Sequence, residues 1–483
     1  MENWPYIISA TKIRQHIKCE RLPFMDAHRN PEEAVDPQER LLAFDLGIRH
    51  EEEVGQGMRA GAYGPEASVP VRLPEVRGME AARQTLDYMR AGQPSIEQGL
   101  LIHDNWWGAP DWLHRKPGSS NFGEWYYEPG DAKLGGRKAT IRSQVVPVTF
   151  YALILERIQG VRPTHFTIYR ATPAVVDVSK HVDDALDVVK KLESVLGDRH
   201  DPGPWLTSEC AKCKWCLACE ADARRTAHLS LITGMRRDLL PRLNVLGIST
   251  VNDLAKLPVA TLERLPHIGG DRALRVLEQA KVYADHKPRI VGRPRIPSRT
   301  KIEIYLDVEG QGRDNATDAV LFGLLIRRGS RTTYWTSLAN SPTDGRRAWR
   351  EFCQHLRTLP RDCPVFHFGT YDAQLVRGLQ ARHGGAKDLE RRLVDLHLCL
   401  ANHVALPSRG TSLKAIAAAL GFHWAEPDAS GQMASAWWNA WATHRDRRAR
   451  AMLLRHNQDD LRALTVVLDW ARMQTGNVHE LAR

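Results

Sequence analysis

No stretch of this sequence approaches the roughly 18 consecutive apolar residues that a membrane-spanning helix requires, so a bilayer span is not expected. The opening run, MENWPYIISATKIRQ, has no basic segment followed by an apolar one. That argues against a secretory leader and makes the cytoplasm the expected compartment. Internal repeats and low-complexity tracts are also missing, and the apolar and charged fractions are those of an ordinary soluble protein. A reducing compartment disfavours structural disulfides, so clustered cysteines point to metal instead. At 483 residues the chain exceeds what one core holds, and two or three domains are expected.

Two features are present in excess. The formal net charge is +10, with a pI near 9.2. That is either a solvated basic surface or a footprint for nucleic acid. Second, ECAKCKWCLACE places Cys210, Cys213, Cys216 and Cys219 within one short run, while Cys353, Cys363 and Cys399 are scattered in apolar surroundings as core residues.

The pattern divides the chain into four parts: 1–225, mixed and ending at the cysteine run; 226–285, helical; 286–300, a basic linker with prolines; and 301–483, strands followed by helices. The fold class is multidomain α/β.

In GEWYYEPGDAKLGG, Asp131 and Lys133 are two apart on an expected strand and so share a face. A carboxylate there can hold Mg²⁺, and the ammonium can orient water. The triplet is common by chance. It gains weight from Asp111 after a glycine turn, from His50 on an expected helix, and from the expected helix SQVVPVTFYALILERIQG downstream. Without these partners acting together, Asp111 caps a turn and His50 sits on the surface.

The order His50, Gly108-x-x-Asp111, Asp131-x-Lys133 and a helix ending ERIQG resembles the RecB-like PD-(D/E)XK nucleases. The resemblance implies a nuclease core using those residues with a divalent metal. Members of that group often carry a 4Fe–4S cluster held by one early cysteine and a late C-x2-C-x5-C. On this chain that implies Cys19, Cys210, Cys213 and Cys219 as ligands, with Cys216 to spare. The alternative is zinc on Cys210, Cys213, Cys216 and Cys219. The family places a glutamine four residues before the helix tyrosine; here Tyr151 is present, but Pro147 stands at the glutamine's place and Gln144 lies three residues earlier.

Residues 243–281 contain two turns followed by helices, the second with the paired glycines of LPHIGGDRAL. They resemble a helix-hairpin-helix motif, which would aim backbone N–H groups at a phosphate. The alternative is a helical spacer.

TKIEIYLDVEGQG is the clearest strand pattern, with Asp307 and Glu309 on one face. Two like charges at a buried strand end need a cation to be tolerable. Asp372 opens an expected helix, and His456 and Asp460 are one turn apart on another. Four carboxylates of this kind can hold two metals for phosphodiester hydrolysis, with His456 as general base. Asp459 is the adjacent alternative, directed off the shared face. Asp395 is expected to be structural, and Trp437, Trp438 and Trp441 to be core or partner surface.

This set resembles the DEDD exonucleases of the RNase H-like (DnaQ-like) superfamily, although His456 stands at the spacing of the tyrosine version. The whole order resembles bacterial RecB-family nucleases with a C-terminal RNase H-like domain. That implies an Mg²⁺- or Mn²⁺-dependent nuclease acting on DNA, single-stranded and from an end, in repair, recombination or defence. A helicase or defence complex would be a separate partner. The alternatives are a single working site, an RNA substrate, or an iron–sulfur DNA-binding adaptor without activity.

Overall fold

The computed structural model of the protein describes residues 5–63, 71–72, 78–134, 141–170, 172–265, 269–311, 318–427 and 429–476. The chain forms two compact units, Met1–Glu220 and Ala221–Arg483. Among the described residues no helix is long and apolar enough to cross a membrane.

The first unit is organised by a mixed six-stranded sheet. Its centre is a hairpin: Trp112–Ser120 pairs antiparallel with Gly123–Ala132. The second hairpin strand then pairs in parallel with His165–Tyr169. A parallel neighbour requires a crossover, and the helix Arg142–Gln159 supplies it. This helix is apolar on nearly every face, and Val146, Val148, Phe150, Ala152, Ile154 and Leu155 are all buried. It ends at Gly160, whose φ of 75° is the left-handed stop that glycine adopts without strain. Pro147 lies inside the helix and is buried. A second helix, Gln38–Arg59, carries His50 and Glu51.

The second unit begins with short helices at Leu240–Val245, Val251–Ala255 and Val259–Glu263, then the longer Gly270–Asp285. Thr250 and Asp253 cap the second reciprocally: the Asp253 amide donates to Thr250 Oγ1 at 3.1 Å and the Thr250 amide to Asp253 Oδ2 at 3.0 Å. Leu254, Leu262, Ala273 and Leu277 bury the faces between them. The 266–268 part of the LPHIGG turn lies outside the described residues.

The basic 286–300 segment runs along this unit. Arg289–Ile290 pairs antiparallel with Val404–Ala405, Ile296 is buried, and Arg472 Nε donates to the Pro297 carbonyl at 2.9 Å.

A five-stranded sheet follows, in the order Arg331–Leu338, Asp318–Arg328, Ile302–Gln311, Val365–His367, Leu393–Asp395. The central strand, Ile302–Gln311, is buried on both faces. Ile304, Leu306 and Val308 meet Phe352 of Gly345–Arg357 and Leu375 and Val376 of Thr370–His383. Tyr305, on the other face, joins Leu461, Leu464 and Leu468 of the long helix Arg447–Thr475. The strand's register shifts between Glu309 and Gly310, a bulge at the end that bears the acids.

Candidate active site

Asp307 and Glu309 follow Tyr305 on the face turned toward the long helix. Asp307 sits opposite Gly323 on the neighbouring strand. Asn457 of the long helix crosses here: its Nδ2 donates to Asp307 Oδ2 at 2.6 Å and to the Asp307 carbonyl at 3.2 Å, and Tyr334 donates to its Oδ1 at 2.9 Å. A Cβ on residue 323 would overlap the Asn457 amide, so only glycine admits this contact.

His456 and Asp460 lie one turn apart on that helix. His456 Nε2 is 3.5 Å from Asp460 Oδ2 and 3.8 Å from Glu309 Oε1. Trp424 Nε1 donates to Asp460 Oδ1 at 2.6 Å, which leaves Oδ2 facing the site. Asp372, in the first turn of its helix, accepts from the Val308 amide at 3.1 Å. It thereby joins the strand end that carries the other two acids. Asp459 is turned to the Ala425 amide, at 3.0 Å, and toward Arg462. Asp395 accepts from the Gly369, His397 and Leu398 amides and caps a short helix. Trp438 is buried in the core, its Nε1 donating to the Ala339 carbonyl.

These carboxylates raise one another's pKa. Burial and then Asp460 and Asp372 push Glu309 up to about 8. Burial lifts Asp372 to about 7, with the Val308 amide opposing and Asp460 adding. Asp307 is raised by burial, Glu309, Asp460 and Asp372, and Asp460 by burial against the pull of His456. Like charges buried this closely are unstable without a cation. Hard oxygen donors suit Mg²⁺ or Mn²⁺, so this donor set fits a divalent ion. Glu309, His456 and Asp460 each offer a ligand atom within 4.8 Å of the others.

Lys414 is a member of the site that periodicity hides, because it stands in the apolar run SLKAIAAAL. Its Nζ donates to the Ala429 carbonyl and to that of Pro427 at 3.4 Å. Its charge opposes those of Glu309 and Asp460.

The first unit assembles a second acidic group. Asp111 Oδ2 accepts from the Ala132 amide at 2.6 Å, beside Asp131 on the same strand. Lys133 forms an ion pair with Asp131 Oδ2. Asp131 is 3% exposed, and burial together with the Asp131 charge lifts Asp111 to about 8. His50 is directed elsewhere: its Nε2 lies 3.2 Å from the Tyr169 carbonyl, which also accepts the Lys133 amide. The acid that shares this pocket is Glu51. Gln98 Nε2 bridges Glu51 Oε1 at 2.5 Å and Asp111 Oδ1 at 3.3 Å, and burial and then Asp131 raise the Glu51 pKa. No periodicity distinguishes Glu51 from its neighbours Glu52 and Glu53. Gln144 donates to the Leu134 carbonyl at 3.2 Å and accepts from Arg170 at 3.0 Å. Tyr151 donates to the Ala109 carbonyl at 3.1 Å.

Among the described residues no three of the cysteine sulfurs lie within 4.8 Å of one another, although the thiols of the first unit act on one another electrostatically. The Cys213 thiol is raised by burial, with Cys19 and Cys210 contributing. Cys219 is pushed up to about 12 by burial, with Cys19 and Cys213 adding and Arg21 opposing. Arg21 lies 3.7 Å from the Cys219 sulfur and is paired with Asp201. Cys216 opens the helix Cys216–Arg225.

Residues 304–472 match the family model of an RNase H superfamily domain, RNase_H_2. The second unit therefore carries an RNase H-like domain, a class whose activity is of the nuclease type on nucleic acid and which typically uses Mg²⁺ or Mn²⁺. No curated protein matches the chain.

Proposed function

We propose that the chain is a metal-dependent nuclease that hydrolyses phosphodiester bonds in single-stranded DNA from an end, in repair, recombination or defence. The observation that carries this is the buried meeting of Asp307, Glu309, Asp372 and Asp460 within an RNase H-like domain. These four would hold Mg²⁺ or Mn²⁺, which supplies charge neutralisation at the phosphate and a more acidic bound water. The chain's own groups do the placing. Asn457 fixes Asp307, Trp424 fixes Asp460, and the Val308 amide fixes Asp372. Lys414 adds a cation beside the acids. Basic residues would hold the nucleic-acid backbone with salt-sensitive affinity, and residues 243–281 would grip a phosphate in helix-hairpin-helix fashion.

The first unit we read as a RecB-like PD-(D/E)XK core with Asp111, Asp131 and Lys133 in the catalytic group and His50 beside it, turned to the Tyr169 carbonyl. A 4Fe–4S cluster on Cys19, Cys210, Cys213 and Cys219 would clamp the ends of that unit. Cys19 acts on both the Cys213 and the Cys219 thiol, which is in keeping with an early cysteine beside the late ones. A colourless protein carrying stoichiometric zinc after anaerobic purification would reject it.

A second reading is specifically supported. His50 is turned to a backbone carbonyl and Pro147 occupies the glutamine's place, which favours one working site, the C-terminal one. Asp307→Ala and Asp131→Ala, assayed singly with Mg²⁺ and Mn²⁺ on single-stranded DNA, duplex DNA and RNA, decide between the readings. Loss only with Asp307→Ala supports the single-site reading. Undiminished cleavage in both variants removes the nuclease proposal.

A further inference from the structure

A histidine serving as general base must reach the water it deprotonates. His456 is poorly placed for that. It is 3% exposed, and the Trp437 ring stands edge-on to it at 6.0 Å between centroids. Its Nε2 instead faces the open oxygen of Asp460 and an oxygen of Glu309 at 3.5 and 3.8 Å, and its Nδ1, deep in the protein, has no hydrogen-bond partner among the described residues. At 3.5 and 3.8 Å the imidazole nitrogen is beyond good hydrogen-bond reach of either carboxylate oxygen, yet the three atoms are close enough together to share one cation.

The helical spacing explains this placement. Residues four apart lie over one another on a helix, so the His456 ring and the Asp460 carboxylate reach the same point. One added residue between them would turn the ring by about 100° around the axis and take it off that point.

We propose that His456 is a nitrogen ligand of the divalent cation held by Glu309 and Asp460, which makes this a mixed nitrogen–oxygen site that prefers Mn²⁺ to Mg²⁺. The inference rests on the C-terminal metal site of the proposed function and changes the part His456 plays in it. Carboxylates accept either ion, but an imidazole favours transition metals over Mg²⁺. Trp424 strengthens the arrangement by occupying Asp460 Oδ1, so that only Oδ2 is presented beside Nε2.

The test uses the full chain carrying Asp111→Ala and Asp131→Ala, so that the first unit contributes no cation signal. Bound Mn²⁺ is examined by pulsed EPR for ¹⁴N modulation, first with ordinary protein and then with ¹⁵N-histidine-labelled protein. The expected result is a nitrogen coupling that changes with the label and disappears in His456→Gln. That variant should also lose at least about tenfold in Mn²⁺ affinity by calorimetry, as disturbance of even a ligand-supporting group commonly does, and less in Mg²⁺ affinity. The labelled protein needs no substitution, so the ligand question is answered even if His456→Gln fails to fold. Absence of any histidine nitrogen coupling to bound Mn²⁺ overturns the proposal. So does a His456→Gln protein that binds Mn²⁺ normally and cleaves slowly, the pattern of a general base. Because EPR reads the ligand independently of cleavage, a protein that binds Mn²⁺ through His456 yet cuts nothing would refute the nuclease reading alone.

Discussion

Asn457 and Gly323 show how far a carboxylate depends on residues that are not acids. Asn457 holds Asp307 through two donations, and only a glycine opposite leaves room for it. We expect Asn457→Ala to lower cleavage by about tenfold to a hundredfold, the range for groups that orient a metal ligand. Gly323→Ala should do comparable damage by pushing the amide away. The two should be far from additive, because both remove one contact; additive losses in kcat/KM would show that Gly323 matters for another reason. Glu51 provides the matching case in the first unit. With the C-terminal site silenced by Asp307→Ala, Glu51→Gln should reduce any remaining cleavage several-fold, whereas Glu52→Gln should not. Equal effects of the two would deny Glu51 a place beside Asp111 and Asp131.

At the scale of the element, the central strand has two ends with opposite electrostatics. At its start, Glu303 is 1% exposed and accepts from Arg472 at 2.7 Å, from Arg327 Nε at 2.9 Å and from the Tyr305 hydroxyl at 3.0 Å. Burial pushes its pKa up and the two arginines outweigh that, so the carboxylate stays charged and matched. At the other end, among the described residues, Glu309 and Asp307 form no arginine pair; Glu309 has only the charge of Lys414 and the His456 ring, at 3.8 Å, against it. Glu303→Ala would remove the acid that both guanidinium groups share, leaving Arg327 with Asp469 and Arg472 with the Pro297 and Ser298 carbonyls, a loss of up to roughly 3–5 kcal/mol for breaking a buried pair from one side. Urea unfolding of the second unit should show it as a lower midpoint. An unchanged midpoint would mean that the arginines find other partners. One strand thus carries two kinds of buried acid: Glu303 is neutralised by arginines, whereas Asp307 and Glu309 are held among other acids, which raise their pKa.

For the whole molecule, the buried acids tie stability to pH and, on the proposed function, to divalent ions. Burial and the neighbouring acids push Glu309 and Asp111 up to about 8 and Asp372 up to about 7 in the folded chain, whereas unfolded carboxyls titrate near 4. A raised carboxyl pKa means that the folded state holds its proton longer than the unfolded one. The associated stability is complete below about pH 4 and is lost as pH rises toward about 8. In chelator, melting should therefore shift downward by several degrees between pH 5 and pH 8 from this source. Mn²⁺ or Mg²⁺ should restore it at pH 8 and have little effect at pH 5, where protons occupy the same oxygens. Scanning calorimetry across pH, with and without Mn²⁺, checks this. A divalent effect equal at both pH values would count against cation binding by these acids.

Much of the C-terminal site was legible because its chemistry rides on simple periods. Asp307 and Glu309 are two apart on a strand, and His456 and Asp460 four apart on a helix; in the first unit Lys133 falls just past the end of the strand that carries Asp131. Those spacings place side chains on shared faces wherever the elements go. What tertiary structure decided was which faces meet. Glu51, Asn457, Gly323 and Lys414 have no periodic signature; each matters because an element remote in sequence packs against it. The turning of His50 to the Tyr169 carbonyl, and of the His456 ring between two carboxylates, were set in the same way. Local periodicity determines direction relative to one's own backbone, but a site is made by the distance between backbones, and only the packed core fixes that.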